Sequence, residues 1–147
     1  MAPAAALPIV LAELIDALDD SASWTRFHYL DRQTGEIATA LTDEVDKAGH
    51  FADVRADAHR YVPIEVLPVW MRLQVRTQFV DHKLEDPTLR LDLAEVLQGT
   101  QGIAGFERLL RNHERAHEMF MAFRIAALSD AAREWLAAHK ITKVDLK

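Results

Sequence analysis

The chain has 147 residues, half of them apolar, with 23 acidic side chains against 17 Lys and Arg and a net charge of −6. That length suits one domain with a real core, and the acidic balance argues against broad phosphate contacts and so against nucleic acid as a partner. With no cysteine, disulfides, thiolate metal sites and thiol catalysis are excluded.

In chain order, residues 1–8, MAPAAALP, read as a disordered lead. The segment has no basic start, and its apolar run meets Glu13 and Asp16 too early for a signal peptide or a membrane span. The expectation is a cytoplasmic protein with no membrane contact. Leu11, Leu14, Ile15 and Leu18 then fall at helical spacing and predict a helix that stops near Asp20.

From Arg26 to Ala40 the pattern changes to period two. Phe27 and Tyr29 alternate with Arg26 and His28, and Ile37 alternates with Glu36 and Ala38. Asp31 can accept backbone N–H groups of the following residues, and Gly35 can take φ > 0, so the segment predicts a β-hairpin. Residues 42–60 carry the weakest pattern; Thr42 suits the cap of a short helix that Gly49 would end. Arg60 to Val66, RYVPIEV, predicts a third strand, placed at a sheet edge because Pro63 lacks a donor.

The chain is helical from there on. Pro68 opens a helix to about Leu84, and Asp86-Pro87 is a cap followed by a first-turn proline for a helix that Gly99 closes. A short helix carries Ile103, Phe106, Leu109 and Leu110. The last helix starts near Asn112 with a stripe of Ala116, Phe120, Phe123, Ala127, Ala131, Trp135 and Ala138. The stripe keeps its phase across Ser129-Asp130, which predicts one long helix. Trp70, Trp135, Phe106, Phe120 and Phe123 sit on apolar stripes and are expected in the core.

Five segments, taken in order, are similar to the bacterial UPF0158 family: YLDRQTGE (29–36), RYVPI (60–64), Gly99 with Ile103 and Phe106, FMAFR (120–124) and REWLAAHKI (133–141). The resemblance runs from about Leu11 to Ile141. The chain departs from the family where Ile103, Ala104, Gly105 and Glu107 replace Phe and a more basic run, and where Phe120 replaces Trp. The family is uncharacterised, so the resemblance implies a fold and no catalytic residues. The loss of basic residues near Glu107 weakens a nucleic-acid role.

Residues 113–117 read His-Glu-Arg-Ala-His. On a helix His113 and His117 lie one turn apart on one face and suit zinc, with Glu114 as general base toward a metal-bound water. A catalytic zinc needs a third ligand. Glu134 and His139 are candidates by composition, but on one straight helix they lie roughly 25–33 Å beyond His117. The expected reading is therefore two histidines on the first turn of a surface helix, with no metal. Arg72 and Arg76, at i, i+4, suit an anion or, more readily, ion pairs with Asp81, Glu85 or a neighbouring helix. Trp24 and His28 share the hairpin face opposite Phe27 and Tyr29; if that face is open they form a binding patch with Arg72 and Arg76 as further candidates. Met119 and Met121 suit either a partner groove or gap-filling in the core.

The expected fold is α+β: a small antiparallel sheet of two or three strands packed on about five helices. Residues 9–147 are read as one domain, with strands up to 66 and helices over 67–141. The expected function is a non-enzymatic protein-binding or regulatory module without cofactor, whose partner is another protein. The alternative is a metal-dependent hydrolase using His113, Glu114 and His117. A nucleic-acid accessory protein using Arg72, Arg76, Arg108 and Arg111 is the third reading.

Overall fold

The hairpin forms where alternation and turn chemistry coincide. A computed structural model of the protein describes residues 6–20, 26–41, 59–100 and 102–147. In it β2 (Arg26–Asp31) and β3 (Ile37–Leu41) pair antiparallel, with Arg26 opposite Leu41 and Leu30 opposite Ile37. Asp31 closes the turn twice: its carboxylate accepts the Gln33 N–H at 2.9 Å and its carbonyl accepts the Gly35 N–H at 2.8 Å. Gly35 has φ +80°, the left-handed conformation the turn needs. The third strand, β4 (Tyr61–Pro63), joins the other side of β2, giving the order β3-β2-β4. Pro63 thus lies on an edge strand, where its missing donor costs least.

A second, parallel pair joins β1 (Leu7–Ile9) to β5 (Val144–Leu146), with Leu7 opposite Val144. This corrects the expected disordered lead at Leu7 and Pro8; residues 1–5 of that lead lie outside the described residues. Three residues with a proline among them carry too little alternation to announce a strand, and the partner is more than 130 positions away in sequence. The Thr42-capped helix falls within 42–58, also outside the described residues.

The first helix, α1 (Leu11–Leu18), buries Leu14, Ile15, Ala17 and Leu18. Next comes α2 (Val69–His82), led by Pro68 and burying Arg72, Val75, Arg76, Phe79 and Val80. Trp70 does not join that core. It is 63% exposed and Val69 is 60% exposed. Trp70 shares a face with Gln74, Thr77, Gln78 and Asp81 at i+4, i+7, i+8 and i+11, all exposed. The helix is central along one stripe and open on the other. Asp86 caps α3 (Pro87–Gln98), accepting the Thr88 and Leu89 N–H groups at 3.0 and 3.3 Å. After α4 (Gly102–Leu110) the last helix, α5 (Glu114–Ala138), passes through Ser129 and Asp130 without a break.

The buried row of α5 is Phe120, Arg124, Leu128, Ala132 and Leu136. It is rotated from the expected stripe: Phe123, Ala131 and Trp135 flank it half-buried, while Ala127 and Ala138 are exposed. Alanine fits either environment, so the alanines fixed the phase of the expected stripe poorly. The Trp135 ring lies on His139, centroids 4.3 Å apart.

The described residues thus form an α+β fold with five helices. The chain divides into two compact units, Met1–Val66 with Ser129–Lys147, and Leu67–Leu128. The first centres on Ile9, Leu14, Leu18, Leu30, Val62 and Leu136. The second centres on aromatic rings: Phe79 and Phe106 each meet Phe120 edge to face, at 5.2 and 5.1 Å.

In the first unit Arg60 clamps the hairpin turn. Its Nε and Nη2 donate to the two Asp31 carboxylate oxygens at 3.1 and 3.0 Å. This hydrogen bonding, opposed by burial and aided by the Gln33 N–H, holds the Asp31 carboxyl below its ordinary 3.8. A depressed carboxylate stabilises the fold in full above the unfolded value and loses that contribution as the pH falls through the folded one. The urea midpoint of Asp31→Asn should therefore lie well below that of the parent at neutral pH. The gap should close as the pH is lowered below 3.8. A gap that stays constant across the acid range would disprove this linkage.

Candidate functional site

In the second unit two helix ends and a cap converge. The chain leaves α2 through Lys83, Leu84 and Glu85, turns at Asp86 into α3, and Leu89 points back from the first turn of that helix. Opposite them α5 begins: His113 N–H donates to the Leu110 carbonyl at 2.9 Å, and His117 N–H donates to the His113 carbonyl at 2.8 Å. Between these segments lies a cavity of about 640 Å³, within the roughly 300–1,000 Å³ of small-ligand sites. Its lining combines the apolar Leu84, Leu89, Ala116 and Met119 with the polar and charged Lys83, Glu85, Asp86, His113, Glu114 and Arg115.

The His-Glu-Arg-Ala-His segment is divided by this geometry. His113 and Glu114 are exposed on the cavity wall, while His117 is half-buried and not among the lining residues. Among the described residues no three His, Asp or Glu side chains converge as a metal-binding group. Continuity of α5 keeps Glu134 far up the axis from His117. His139 is occupied locally, its Nδ1 2.9 Å from the Trp135 carbonyl oxygen.

In the first unit His28 is drawn inward instead of forming an open patch. Its Nε2 lies 2.5 Å from an oxygen of the buried Asp20 carboxylate and its Nδ1 lies 2.7 Å from the Thr39 hydroxyl. Arg26 pairs with the same carboxylate. His28 thus links the Asp20 carboxylate to the Thr39 hydroxyl through its two ring nitrogens. The order carboxylate, imidazole, hydroxyl is that of an activated nucleophile. The small cavity beside it, about 210 Å³, is however lined by Glu13 and Asp16 with Ala17, His28, Ile37 and Thr39. Two carboxylates there would oppose the negative charge that develops on an attacked carbonyl oxygen. The array is better understood as a clamp fixing the hairpin to the end of α1. Trp24, the other half of the expected patch, lies outside the described residues.

Arg72 and Arg76 are not a cationic surface. Both are buried, Arg76 completely. Its Nη2 donates to Glu107 on α4 at 2.9 Å and its Nη1 to the Arg72 carbonyl at 3.0 Å. The guanidinium lies 5.3 and 5.9 Å from the ring centres of Phe120 and Phe106, close enough for cation–π attraction. The ion pair with a neighbouring helix, anticipated beside the anion-binding reading, is thus formed.

Sequence reasoning missed Asp20 and Thr39. Once Leu30 is set opposite Ile37, the hairpin register puts His28 opposite Thr39, so that pair was within reach. The cavity residues Lys83 to Leu89 were read only as helix ends, since periodicity does not say which ends meet.

Among the described residues no helix is long and apolar enough to cross a membrane. No curated protein and no solved structure matches the chain. The model of the Uncharacterised protein family (UPF0158) matches residues 6–146, nearly the full length. The resemblance carried by the hairpin, the RYVPI strand and the REWLAAHKI segment is therefore membership: the chain belongs to the UPF0158 family.

Proposed function

We propose that this chain is a non-enzymatic protein-binding or regulatory module, acting on another protein through the cavity at the start of α5. Its cysteine-free, acidic composition suits the cytoplasm. The observation that carries the reading is the apolar part of the cavity lining. Leu84 and Leu89 contribute buried apolar surface to it, and Met119 in the same lining is 41% exposed. An unbranched, polarizable methionine beside fixed leucines adapts to a partner's side chain. The exposed Val69 and Trp70 add apolar surface of the kind that protein contacts use.

A photo-reactive residue placed at Met119 should give a discrete protein adduct in cells, and the same residue at the exposed Arg133 should not. Identical adduct patterns from the two positions, or none from Met119, would defeat the reading. The second reading, a metal-dependent hydrolase, is favoured by one observation: His113 and Glu114 share the cavity wall. Stoichiometric zinc retained by purified protein and lost in His117→Ala would put that reading first.

A further inference from the structure

We infer that the outer edge of β3 takes an extended segment of a partner protein as a further strand, one with basic side chains at alternate positions. This surface belongs to the first unit, and it stands or falls without the cavity at the start of α5. In the hairpin the Asp31 N–H donates to the Glu36 carbonyl at 2.9 Å, and hydrogen-bonded pairs alternate from there along an antiparallel ladder. Tyr29 and Ala38 are the next bonded pair, whereas Leu30 opposite Ile37 and His28 opposite Thr39 are not bonded pairs. The other side of β2 has the same phase, since the His28 carbonyl accepts the Ile64 N–H at 2.9 Å. Ile37 and Thr39 therefore turn their backbone N–H and C=O groups away from β2. Among the described residues nothing meets these groups, because the sheet ends at β3 and neither residue has a backbone partner outside it. Thr39 is exposed.

Free sheet edges are ordinarily guarded by a lysine or a proline. The β4 edge has Pro63, but β3 reads Ile-Ala-Thr-Ala-Leu and has neither. What flanks this edge selects the occupant. Ile37, Thr39 and His28 share one face of the hairpin and line the 210 Å³ cavity together with Glu13, Asp16 and Ala17 of α1. Among the described residues that line it there is no Lys or Arg. Glu13 and Asp16 are exposed, and Glu13 makes no ion pair among the described residues. The nearby Arg26 is turned to the Asp20 carboxylate. In a strand laid along β3, the residues beside Ile37 and Thr39 direct their side chains to that same face, so a Lys or Arg there meets the two acids. The residue between them lies beside the small Ala38, which leaves room for a β-branched side chain. A second copy of this chain fits the edge poorly. It would bring its own Glu13 and Asp16, and each chain has a net charge of −6. Addition of an extended peptide to an open sheet edge is an established mode of recognition, with backbone bonds giving affinity and alternate side chains giving specificity.

The test uses the full chain, isotope-labelled, and the acetylated, amidated peptide Thr-Lys-Val-Lys-Val-Thr. The peptide should shift backbone resonances over residues 13–17 and 37–41. The same peptide with Glu in place of Lys should bind at least about tenfold more weakly, because like charges then face each other. Glu13→Lys should weaken binding of the Lys peptide about threefold or more. Glu13 is exposed, and unchanged circular dichroism of the variant confirms its fold. Only alternate amides of an added strand face β3. N-methylation of the two lysine amides and N-methylation of the two valine amides should therefore differ, one abolishing binding and the other sparing it. Equal effects of the two methylations, equal binding of the Lys and Glu peptides, shifts elsewhere, or no binding at millimolar concentration would overturn the inference. A concentration-dependent dimer with its contacts at residues 37–41 would also overturn it and assign the edge to a second copy. The adduct at Met119 bears on the other reading alone, so either can fail without the other.

Discussion

Gly35→Val should cost the fold at least about 3 kcal/mol, and Gly35→Ala nearly as much. An ordinary turn glycine resists substitution through its backbone angle alone. Here the φ of +80° is only half of the obstacle. A Cβ on residue 35 would stand 2.0 Å from the Pro8 carbonyl oxygen and 2.9 Å from its carbon. These are backbone atoms of β1, which no side-chain rotation can move aside. Backbone strain of roughly 1–3 kcal/mol adds to a steric displacement of roughly 1–3 kcal/mol, and the displaced strand also loosens its pairing with β5. Urea denaturation measures the sum. A midpoint within error of the parent for Gly35→Ala would refute the close approach, since alanine already carries the offending atom.

The second large effect is expected at Phe106. Its ring is fully buried, edge to face with Phe120 and within reach of the buried Arg76 guanidinium. Phe106→Ala should cost about 3–5 kcal/mol through lost transfer energy and the cavity left between Phe120 and Arg76. It also removes one of the two aromatic faces that shelter the cation. Phe123→Ala is the control. That ring is only half-buried, though it too lies near Phe79, at 5.6 Å, so it should cost less than half as much. Thermal or denaturant unfolding of the two variants ranks them. Equal losses would mean that Phe106 is no more enclosed than Phe123.

The contrast between those two phenylalanines shows what periodicity conveys. Elements whose signals are local were legible: the hairpin from Asp31 and Gly35, the capped start of α3 from Asp86-Pro87, and the length of α5 from its unbroken phase. The rotation of α5 was not, because five of the seven positions assigned to its stripe were alanine or tryptophan positions that tolerate partial exposure. Trp70 was misplaced for a related reason. Hydropathy says that a tryptophan benefits from burial, whereas helical geometry sets it beside Gln74, Gln78 and Asp81. At the candidate site, the His-Glu-Arg-Ala-His letters drew attention to His117, which does not line the cavity. The cavity was assembled from Lys83 to Leu89 and His113 to Met119, which only tertiary packing brings together.

The parallel pairing of β1 with β5 bears on the order of folding. Leu7 and Val144 enclose nearly the whole chain between them, so their contact carries the largest loop-closure entropy in the fold for only three paired residues. The hairpin and the helix pairs close short loops and can form first. The β1–β5 ribbon should form last on this ground, when Pro8 can settle against a turn at Gly35 that is already made. Its amides, such as Leu7 N–H on the Lys143 carbonyl at 2.9 Å, therefore report completion of the first unit, and they should be among the first to exchange when it begins to open.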